Sequence, residues 1–274
     1  MAIRPRVDAE LVRRGLARSR DHAARLVVDG RVRAGRRTVG KPAQRVDADG
    51  ELLVDPDPAD PGYASRAGYK LAGALHAFGP QGLTVRGRRC LDVGASTGGF
   101  TDVLLRAGAA QVVCLDVGHG QLVPRLRADP RTVVMEGRNV RGLTLADLGA
   151  PADLVVADVS FISLVLVLPA LADVAAPAGD LLVMVKPQFE VGRDRLGGGG
   201  VVQRGALRAE AVRRVAAEGR RLGWGAHAVL PSPLPGPAGN VEYFLWLRPG
   251  EPTVTPETID RTVAEGPGGE RVSW

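Results

Sequence analysis

The chain has 274 residues, of which 45% are hydrophobic and 24% are charged, so it is long enough for one sizeable α/β core with a small second domain. Two cysteines exclude a disulfide scaffold, and the four histidines show no spacing typical of a metal site. Since the amino-terminal residues lack an apolar run and no apolar stretch is long enough for a bilayer, we expect a cytoplasmic protein without membrane contact.

Basic residues are concentrated at the amino-terminal end. Residues 1–46 contain thirteen Arg or Lys and four Asp or Glu, whereas the rest of the chain is slightly acidic within a total charge of +6. A basic head on a neutral-to-acidic body predicts that the head binds a polyanion, for which a nucleic acid is the first expectation. A basic surface that only keeps the protein solvated is the alternative.

In chain order, the head begins with two short helices and a small β unit. The second helix is expected to start after Ser19, a residue type that caps helices well, and to end at Gly30. Short strands are predicted at 32–39 and 51–54. Residues 47–60 contain six acidic residues and no basic one, with prolines near the end, and this reversal of charge predicts a domain boundary.

The body alternates between predicted helices and buried strands. Its clearest helices are expected at 65–78 and 204–222. Helices between strands indicate parallel βαβ units and therefore a doubly wound, Rossmann-like α/β sheet. The last two strands are separated by a loop alone, so they are expected to pair as a hairpin with the last strand antiparallel. The seven strands are predicted at 90–93, 111–116, 132–135, 153–158, 181–186, 226–230 and 241–247.

These patterns predict the domain organisation. A head at 1–60 is joined by a linker at 61–66 to a body at 67–250. Residues 251–274, which are rich in glycine and proline, are expected to extend outside the core.

A glycine-rich loop follows the first strand of the body, in the sequence CLDVGASTGGF at 90–100. A strand, a glycine-rich turn and a helix start form the place where open α/β folds bind nucleotides. The loop is neither G-x-G-x-x-G nor a phosphate-binding P-loop. It also matches the nucleophile elbow of α/β-hydrolases through Ser96, an interpretation that requires His119 or His227 as its partner.

Two acidic residues favour a nucleoside-containing cofactor at this loop. Asp92 lies at the end of the first strand, where an acid fits a loop that receives the amino-acid part of S-adenosylmethionine. Asp116 ends the next strand, 24 residues later, where a carboxylate accepts hydrogen bonds from a ribose diol. Capping of a helix is the alternative role for Asp116.

Lysine is rare in this chain, because only three of the 36 basic residues are Lys and the others are Arg. An ammonium group can lose its proton when desolvated, whereas a guanidinium stays protonated. Lys186 and Asp158 each end a buried strand, and carboxyl ends of parallel strands share one edge of a sheet. Glu242 starts the antiparallel strand and Lys70 lies on the preceding helix, so all four are expected to meet beside the glycine loop. A plain ion-pair network is the alternative.

The order Lys70, Asp158, Lys186, Glu242 resembles the K-D-K-E tetrad of the FtsJ-type ribose 2'-O-methyltransferases. The wider motifs SRAGYKL, DVGASTGGFTDVLL, ADVSFISL and VKPQFE are similar to those of the TlyA family. That family was labelled haemolysin, and its better-supported role is that of a ribosomal RNA cytidine 2'-O-methyltransferase. The head resembles the RNA-binding fold of ribosomal protein S4. In one departure, Ala67 replaces a glycine that is usual beside the first lysine.

The resemblance implies S-adenosylmethionine-dependent methylation of cytidine ribose in 16S or 23S ribosomal RNA, or both, within ribosomal subunits. The tetrad is then the catalytic set, with Lys186 as general base and no metal. Phe161 is expected either to receive the target base or to lie in the core. The cofactor is expected to contact Asp92, Gly94, Ala95, Ser96, Thr97, Gly98, Gly99, Phe100, Asp116 and Asn139. The RNA is expected to contact Arg4, Arg6, Arg18, Arg20, Lys41 and Arg66.

Three further functions are weighed against this one. A non-catalytic RNA-binding assembly factor would keep the basic head without needing the tetrad. A base methyltransferase is disfavoured, because DVSF lacks the prolines and aromatic residue typical of N-methylation and neither cysteine lies near the predicted edge. A pore-forming cytolysin, which is the function in the family's old label, is disfavoured because the sequence contains no long apolar or amphipathic segment.

Overall fold

The computed structural model describes residues 4–17, 19–56 and 60–267, apart from the side chain of Arg193. The chain forms two units that divide between Gly62 and Tyr63. The predicted linker at 61–66 is therefore shorter than expected. Ala64 is already buried in the second unit, where its amide donates a hydrogen bond to Oδ2 of Asp102 at 2.8 Å.

The head combines two helices with a three-stranded antiparallel sheet in the order β2-β1-β3. Ser19 caps the second helix, because its side chain accepts a hydrogen bond from the amide of His22 at 3.1 Å, as predicted. Apolar side chains from both helices and the sheet form a separate small core. The elements are α1 (Val7–Arg13), α2 (Arg20–Val28), β1 (Val32–Ala34), β2 (Arg37–Thr38) and β3 (Leu52–Val54).

The body contains a seven-stranded sheet in the order β6-β5-β4-β7-β8-β10-β9. Strand β10 is antiparallel to both of its neighbours, β8 and β9, and the pairs among β4 to β8 are parallel. The predicted α/β fold with an antiparallel last strand is confirmed. The strands are β4 (Arg89–Val93), β5 (Gln111–Asp116), β6 (Thr132–Glu136), β7 (Ala152–Ala157), β8 (Ala175–Val185), β9 (Trp224–Pro231) and β10 (Tyr243–Pro249).

Helices cover both faces of the sheet. Successive strand side chains point to opposite faces, so Leu91 and Val93 enter one apolar core while Cys90 enters the other. No helix in the described part of the chain is both long enough and apolar enough to cross a lipid bilayer. The helices are α3 (Ala67–Phe78), α4 (Gly99–Arg106), α5 (Pro124–Arg127), α6 (Leu145–Leu148), α7 (Leu168–Val174), α8 (Pro187–Glu190), α9 (Gly205–Arg221) and α10 (Pro256–Glu265).

Residues 256–265 form a packed helix, whereas the sequence predicted an extension outside the core over 251–274, of which 268–274 lie outside the described residues. Helix α10 buries Ile259 and Val263, four residues apart on one helical face, in the same core as α9. Thr255 caps this helix by accepting a hydrogen bond from the amide of Thr258 at 3.3 Å. The prediction was wrong because glycine and proline around the segment obscured a short amphipathic pattern.

Candidate active site

The glycine loop crosses the carboxyl ends of β4, β5 and β7. The amide of Gly94 donates to the carbonyl of Leu115 at 2.8 Å, which ties the loop to β5. Gly94 has a φ of 84°, and a Cβ atom at this position would lie 2.6 Å from the carbonyl oxygen of Asp158. Only glycine allows both this backbone conformation and this approach. The loop therefore places its backbone directly against the residue that follows β7.

Replacement of Gly94 by alanine is expected to displace the loop and to abolish detectable cofactor binding. Gly87→Ala is the matched control, because Gly87 also has positive φ, at 73°, but a Cβ atom there would meet nothing within 4 Å. Both substitutions carry the left-handed penalty of about 1 kcal/mol, and only Gly94→Ala adds the clash. Calorimetric titration with S-adenosylmethionine separates them. Equal affinities of the two variants would contradict the prediction.

Asp116 organises the turn that follows β5. Its Oδ2 accepts the amide of Ser96 and its Oδ1 accepts the amide of Gly118, each at 2.7 Å. Each carboxylate oxygen keeps a second lone pair for a further donor such as a ribose hydroxyl. The hydroxyl of Ser96 donates to Oε1 of Gln121 at 3.0 Å, and among the described contacts none links it to a histidine, so the hydrolase elbow is not formed.

A cleft of about 560 Å³ opens beside this turn. Asp116 and Asp158 supply its acidic groups, and Asn139 lies on its exposed rim, where Oδ1 already accepts the amide of Arg141 at 3.0 Å. The remaining surface is largely apolar, which suits a purine ring. We call this space the larger cleft. Its apolar lining consists of Val93, Leu115, Val117, Val140, Val159, Phe161 and Ile162.

Asp92 lies beneath the loop and lines neither cavity of the site. Its Oδ2 accepts the hydroxyl of Thr101 at 2.6 Å, while its Oδ1 is buried without a hydrogen-bond partner among the described residues. Burial, with the Asp158 and Asp116 carboxylates as smaller contributions, raises the pKa of Asp92 to about 7. The alternation along β4 accounts for this position, because Asp92 shares the face of Cys90.

Asp92→Asn is expected to flatten the pH dependence of stability. A carboxyl whose pKa is higher in the folded chain stabilises the fold at low pH, and this stabilisation is lost as pH rises through about 7. The asparagine cannot titrate but still accepts the Thr101 hydroxyl. Melting temperatures between about pH 5 and pH 8 measure the slope. Asp129→Asn is the control, because Arg131 lowers the pKa of Asp129 below this range. Parallel curves for Asp92→Asn and the wild type would contradict the prediction.

The four tetrad residues line one cavity of about 280 Å³, which we call the smaller cavity. Lys186 follows β8, and its Nζ lies 2.7 Å from Oδ1 of Asp158, which follows β7. Lys70 extends from α3, and its Nζ donates to Oε2 of Glu242 at 2.5 Å. Glu242 reaches this edge because β10 is antiparallel, with Tyr243 opposite Val185. Both lysines are buried, and each has a carboxylate partner that also lines the cavity.

The smaller cavity and the larger cleft are adjacent and share four lining residues. Gly94, Ser96, Asp158 and Ser160 line both spaces. A group transferred from a molecule in the larger cleft to one in the smaller cavity would pass beside these residues. Sequence reasoning missed Ser160, although it comes two residues after Asp158 in the quoted motif and its Oγ accepts a hydrogen bond from Lys186 Nζ at 2.8 Å.

The predicted cofactor residues divide between the two spaces. Asp116 and Asn139 line the larger cleft alone, and Gly94 and Ser96 line both. Gly98 lines neither space; with Cβ it would clash with Leu122 and Leu126. Four others line the smaller cavity with the tetrad, namely Ala95, Thr97, Gly99 and Phe100.

Arg66, predicted to contact RNA, also lines the smaller cavity, where its Nη2 donates to the carbonyl of Pro235 at 2.8 Å. In the head, Arg6 and Arg20 both pair with the buried carboxylate of Asp8, at 2.8 and 3.0 Å. These two pairs hold the pKa of Asp8 well below its usual range.

Lys41 and Arg4 are exposed on the head. Within the described residues, no ion pair joins either side chain to an acid. Arg18 lies outside the described residues. Among the described residues, the head thus offers positive charge without an acidic partner at Lys41 and Arg4, whereas Arg6 and Arg20 share their charge with Asp8.

Comparison with known proteins identifies the class. The FtsJ-like methyltransferase family matches residues 63–249, and the S4 domain family matches residues 5–53. The chain is therefore an FtsJ-like methyltransferase with an amino-terminal S4 domain.

Full-length relatives identify the family within that class. The 16S/23S rRNA (cytidine-2'-O)-methyltransferase TlyA of Mycobacterium tuberculosis is 53% identical over 272 residues, covering 97% of this chain and 100% of the relative. Hemolysin A of Brachyspira hyodysenteriae is 34% identical over 241 residues, covering 87% and 98%. A solved structure from Streptococcus thermophilus is 36% identical and superposes with a TM-score of 0.75 over 96% of each chain. The chain belongs to the TlyA family, as the motifs predicted.

Proposed function

We propose that the protein methylates the 2'-hydroxyl of cytidine in 16S or 23S ribosomal RNA, or both, with S-adenosylmethionine as methyl donor. The observation that carries the proposal is the meeting of two lysine–carboxylate pairs in the smaller cavity, which borders the larger cleft at Asp158. The mycobacterial relative's name describes that reaction on both RNAs. A scaffold that only bound RNA would have no need to bury two ammonium groups there.

The larger cleft fits S-adenosylmethionine by its chemistry. Asp116 offers free lone pairs at the end of β5 for a ribose diol, and the apolar lining suits an adenine ring. Backbone groups of Gly94 and Ser96 border the passage to the smaller cavity. When bound, S-adenosylmethionine supplies a methyl group already activated by its sulfonium.

Lys186 is the proposed general base for the ribose hydroxyl. Its amine lines the smaller cavity, and removal of the 2'-hydroxyl proton to Nζ makes the oxygen a competent nucleophile. Asp158 sits against the same nitrogen and balances its charge once it is protonated. Lys70 and Glu242 form a second, internally neutral pair, so the cluster contains two positive and two negative groups once Lys186 is protonated. The remaining rate enhancement comes from holding the ribose hydroxyl in line with the boundary between the smaller cavity and the larger cleft.

Phe161 is proposed to hold the target nucleotide. Its side chain is 93% exposed, which excludes the alternative of a core aromatic, and it lines the larger cleft three residues after Asp158. The Phe189 ring lies 5.3 Å away, centroid to centroid. A highly exposed aromatic ring on the turn that follows Asp158, with a half-buried ring beside it, supports stacking on a base that has left its helix.

The head is proposed to bind the RNA backbone, and Lys41→Ala is expected to weaken this binding. Removing one phosphate contact lowers affinity at all sequences and reduces the slope of log affinity against log salt by about one. Arg220→Ala is the control, because Arg220 lies on α9 and pairs with Glu251 at the surface. Fluorescence titration of a ribosomal RNA fragment at several salt concentrations measures both slopes. Identical slopes for Lys41→Ala and the wild type would contradict the prediction.

The function is tested with purified protein, labelled S-adenosylmethionine and separated ribosomal subunits. We expect label in ribosomal RNA, mapped to the 2'-oxygen of a cytidine by nuclease digestion and mass spectrometry. Lys186→Ala protein serves as the negative control. Label on a base, or RNA binding with no transfer to either subunit, would overturn the proposal and would favour a base methyltransferase or an assembly factor respectively.

A further inference from the structure

We propose that Ser160 is a positioning residue that aims the amine of Lys186 at the ribose hydroxyl. The inference rests on the proposed function, in which Lys186 accepts the hydroxyl proton. Ser160 lies at the junction of the larger cleft and the smaller cavity. It acts through Lys186 and needs no contact of its own with the reacting atoms.

The contacts of Lys186 Nζ differ in kind. Within the described residues its aligned hydrogen bond goes to Oγ of Ser160, at 2.8 Å. Asp158 lies 2.7 Å away, but the contact between Nζ and its Oδ1 does not have the geometry of a hydrogen bond. A carboxylate in that position stabilises charge but fixes direction weakly. The serine hydroxyl therefore sets the rotation of the amine about its bond to Cε.

The tetrahedral geometry of nitrogen makes that rotation matter. Besides Cε, the nitrogen of Lys186 has three tetrahedral positions, of which one points to Ser160. The bond to Ser160 fixes the directions of the other two positions, one of which holds the lone pair of the neutral amine on a side chain that lines the smaller cavity. A base must meet its proton along the lone pair, within hydrogen-bond reach. Without the serine contact the amine rotates freely, and the productive orientation is lost for part of the time.

A buried side chain on α8, the helix that follows Lys186, holds the turn that bears Ser160 in place. Glu190, on α8, is buried and accepts the Ser163 hydroxyl at 2.5 Å and the Leu164 amide at 2.7 Å. Phe161, between these contacts and Ser160, has a φ of 63°, a conformation that costs a non-glycine residue energy. A strained turn persists only where its surroundings determine it. Glu190 thus couples the turn after β7 to the strand end that carries the base.

Two substitutions of Ser160 test the proposal. Ser160→Ala is expected to lower kcat on the order of 10-fold to 100-fold, the loss typical of a misaligned reacting group. KM for RNA and the affinity for S-adenosylmethionine are expected to stay within about threefold, since the alanine keeps the turn. Ser160→Thr retains a hydroxyl and is expected to recover kcat to within about threefold of the wild type. A purely structural serine would give no such split between kcat and KM and no rescue by threonine.

A double variant tests whether Ser160 acts through Lys186. In the Lys186→Ala background, Ser160→Ala is expected to cause no further loss in single-turnover rate, because the group it positions is gone. An additional loss equal to that in the wild type would overturn the proposal, as would unchanged kcat in Ser160→Ala alone. Glu190→Gln tests the support of the turn that bears Ser160. In this variant kcat is expected to fall while thermal unfolding remains cooperative. A wild-type kcat in that variant would remove Glu190 from the proposal.

The outcomes separate this inference from the proposed function. If Lys186→Arg keeps most of its activity, the base assignment fails whatever Ser160 does. If Lys186 is essential and Ser160→Ala is fully active, only the role of Ser160 fails. Calorimetric binding of S-adenosylmethionine to each variant, without RNA, shows that the folded site is intact in both cases.

Discussion

Lys186→Arg is expected to lower kcat by about 10³-fold, nearly as much as Lys186→Ala. The guanidinium keeps the positive charge beside Asp158 but stays protonated in proteins, so it cannot accept the hydroxyl proton. If Lys186 served only to balance Asp158 or to attract RNA, arginine would preserve most of the activity. The comparison of the two substitutions therefore distinguishes a base from a fixed charge.

Single-turnover methyl transfer to a ribosomal subunit measures this effect without interference from product release. Lys41→Arg is the matched control, because Lys41 is exposed on the head and its proposed role needs charge alone. Binding of S-adenosylmethionine is expected to be unchanged in Lys186→Arg, since Lys186 does not line the larger cleft. A rate for Lys186→Arg within about tenfold of the wild type would contradict the base assignment.

Removing one partner of the Lys70–Glu242 pair is expected to lower the free energy of unfolding by about 3 kcal/mol. Their side chains are 8% and 1% exposed, so either single substitution leaves a buried charge without its counter-charge. Replacing both residues by methionine is expected to recover most of the stability, because no charge is then left behind. Met184, whose sulfur already lies 3.9 Å from Lys70 Nζ, provides an apolar neighbour for the new side chains.

In the variants of the Lys70–Glu242 pair, activity is expected to stay low even where stability is recovered. Lys70→Met, Glu242→Met and the double variant should all lose about 10²-fold or more in kcat, because the charge balance around Lys186 is changed in each. Urea unfolding and methyl transfer measured on the same preparations provide the comparison. The exposed Arg195–Glu210 pair is the control, where the same substitutions should cost less than about 1 kcal/mol and leave kcat unchanged. Recovery of activity together with stability in the double variant would show that the pair is only structural.

The residues that the sequence located best are those whose position follows from topology. Asp158 and Lys186 each follow a buried strand, and parallel strands end at one edge, so their meeting could be predicted without coordinates. Glu242 required only the added step that β10 is antiparallel. The meeting of residues far apart in sequence depends here on strand direction, which the alternation of helices and strands predicts.

Other features depend on side-chain geometry that no spacing reveals. Whether Asp92 faced the cofactor or the core depended on the register of β4, and the alternation with Cys90 was the available evidence. The exposure of Phe161 follows from a left-handed residue in the turn, which the apolar sequence around it obscured. The role of Ser160 could not be predicted from the sequence, because serine is common in turns and only its contact with Lys186 distinguishes it.

The position of β10 has a consequence for synthesis of the protein. This strand is the last of the seven in sequence, yet it lies inside the sheet between β8 and β9. Until β10 has been translated and inserted, β8 presents an open edge, and Glu242, just before β10, is not held against Lys70. Assembly of the sheet therefore ends with insertion of an interior strand, and the same event brings the last of the four tetrad residues into the smaller cavity.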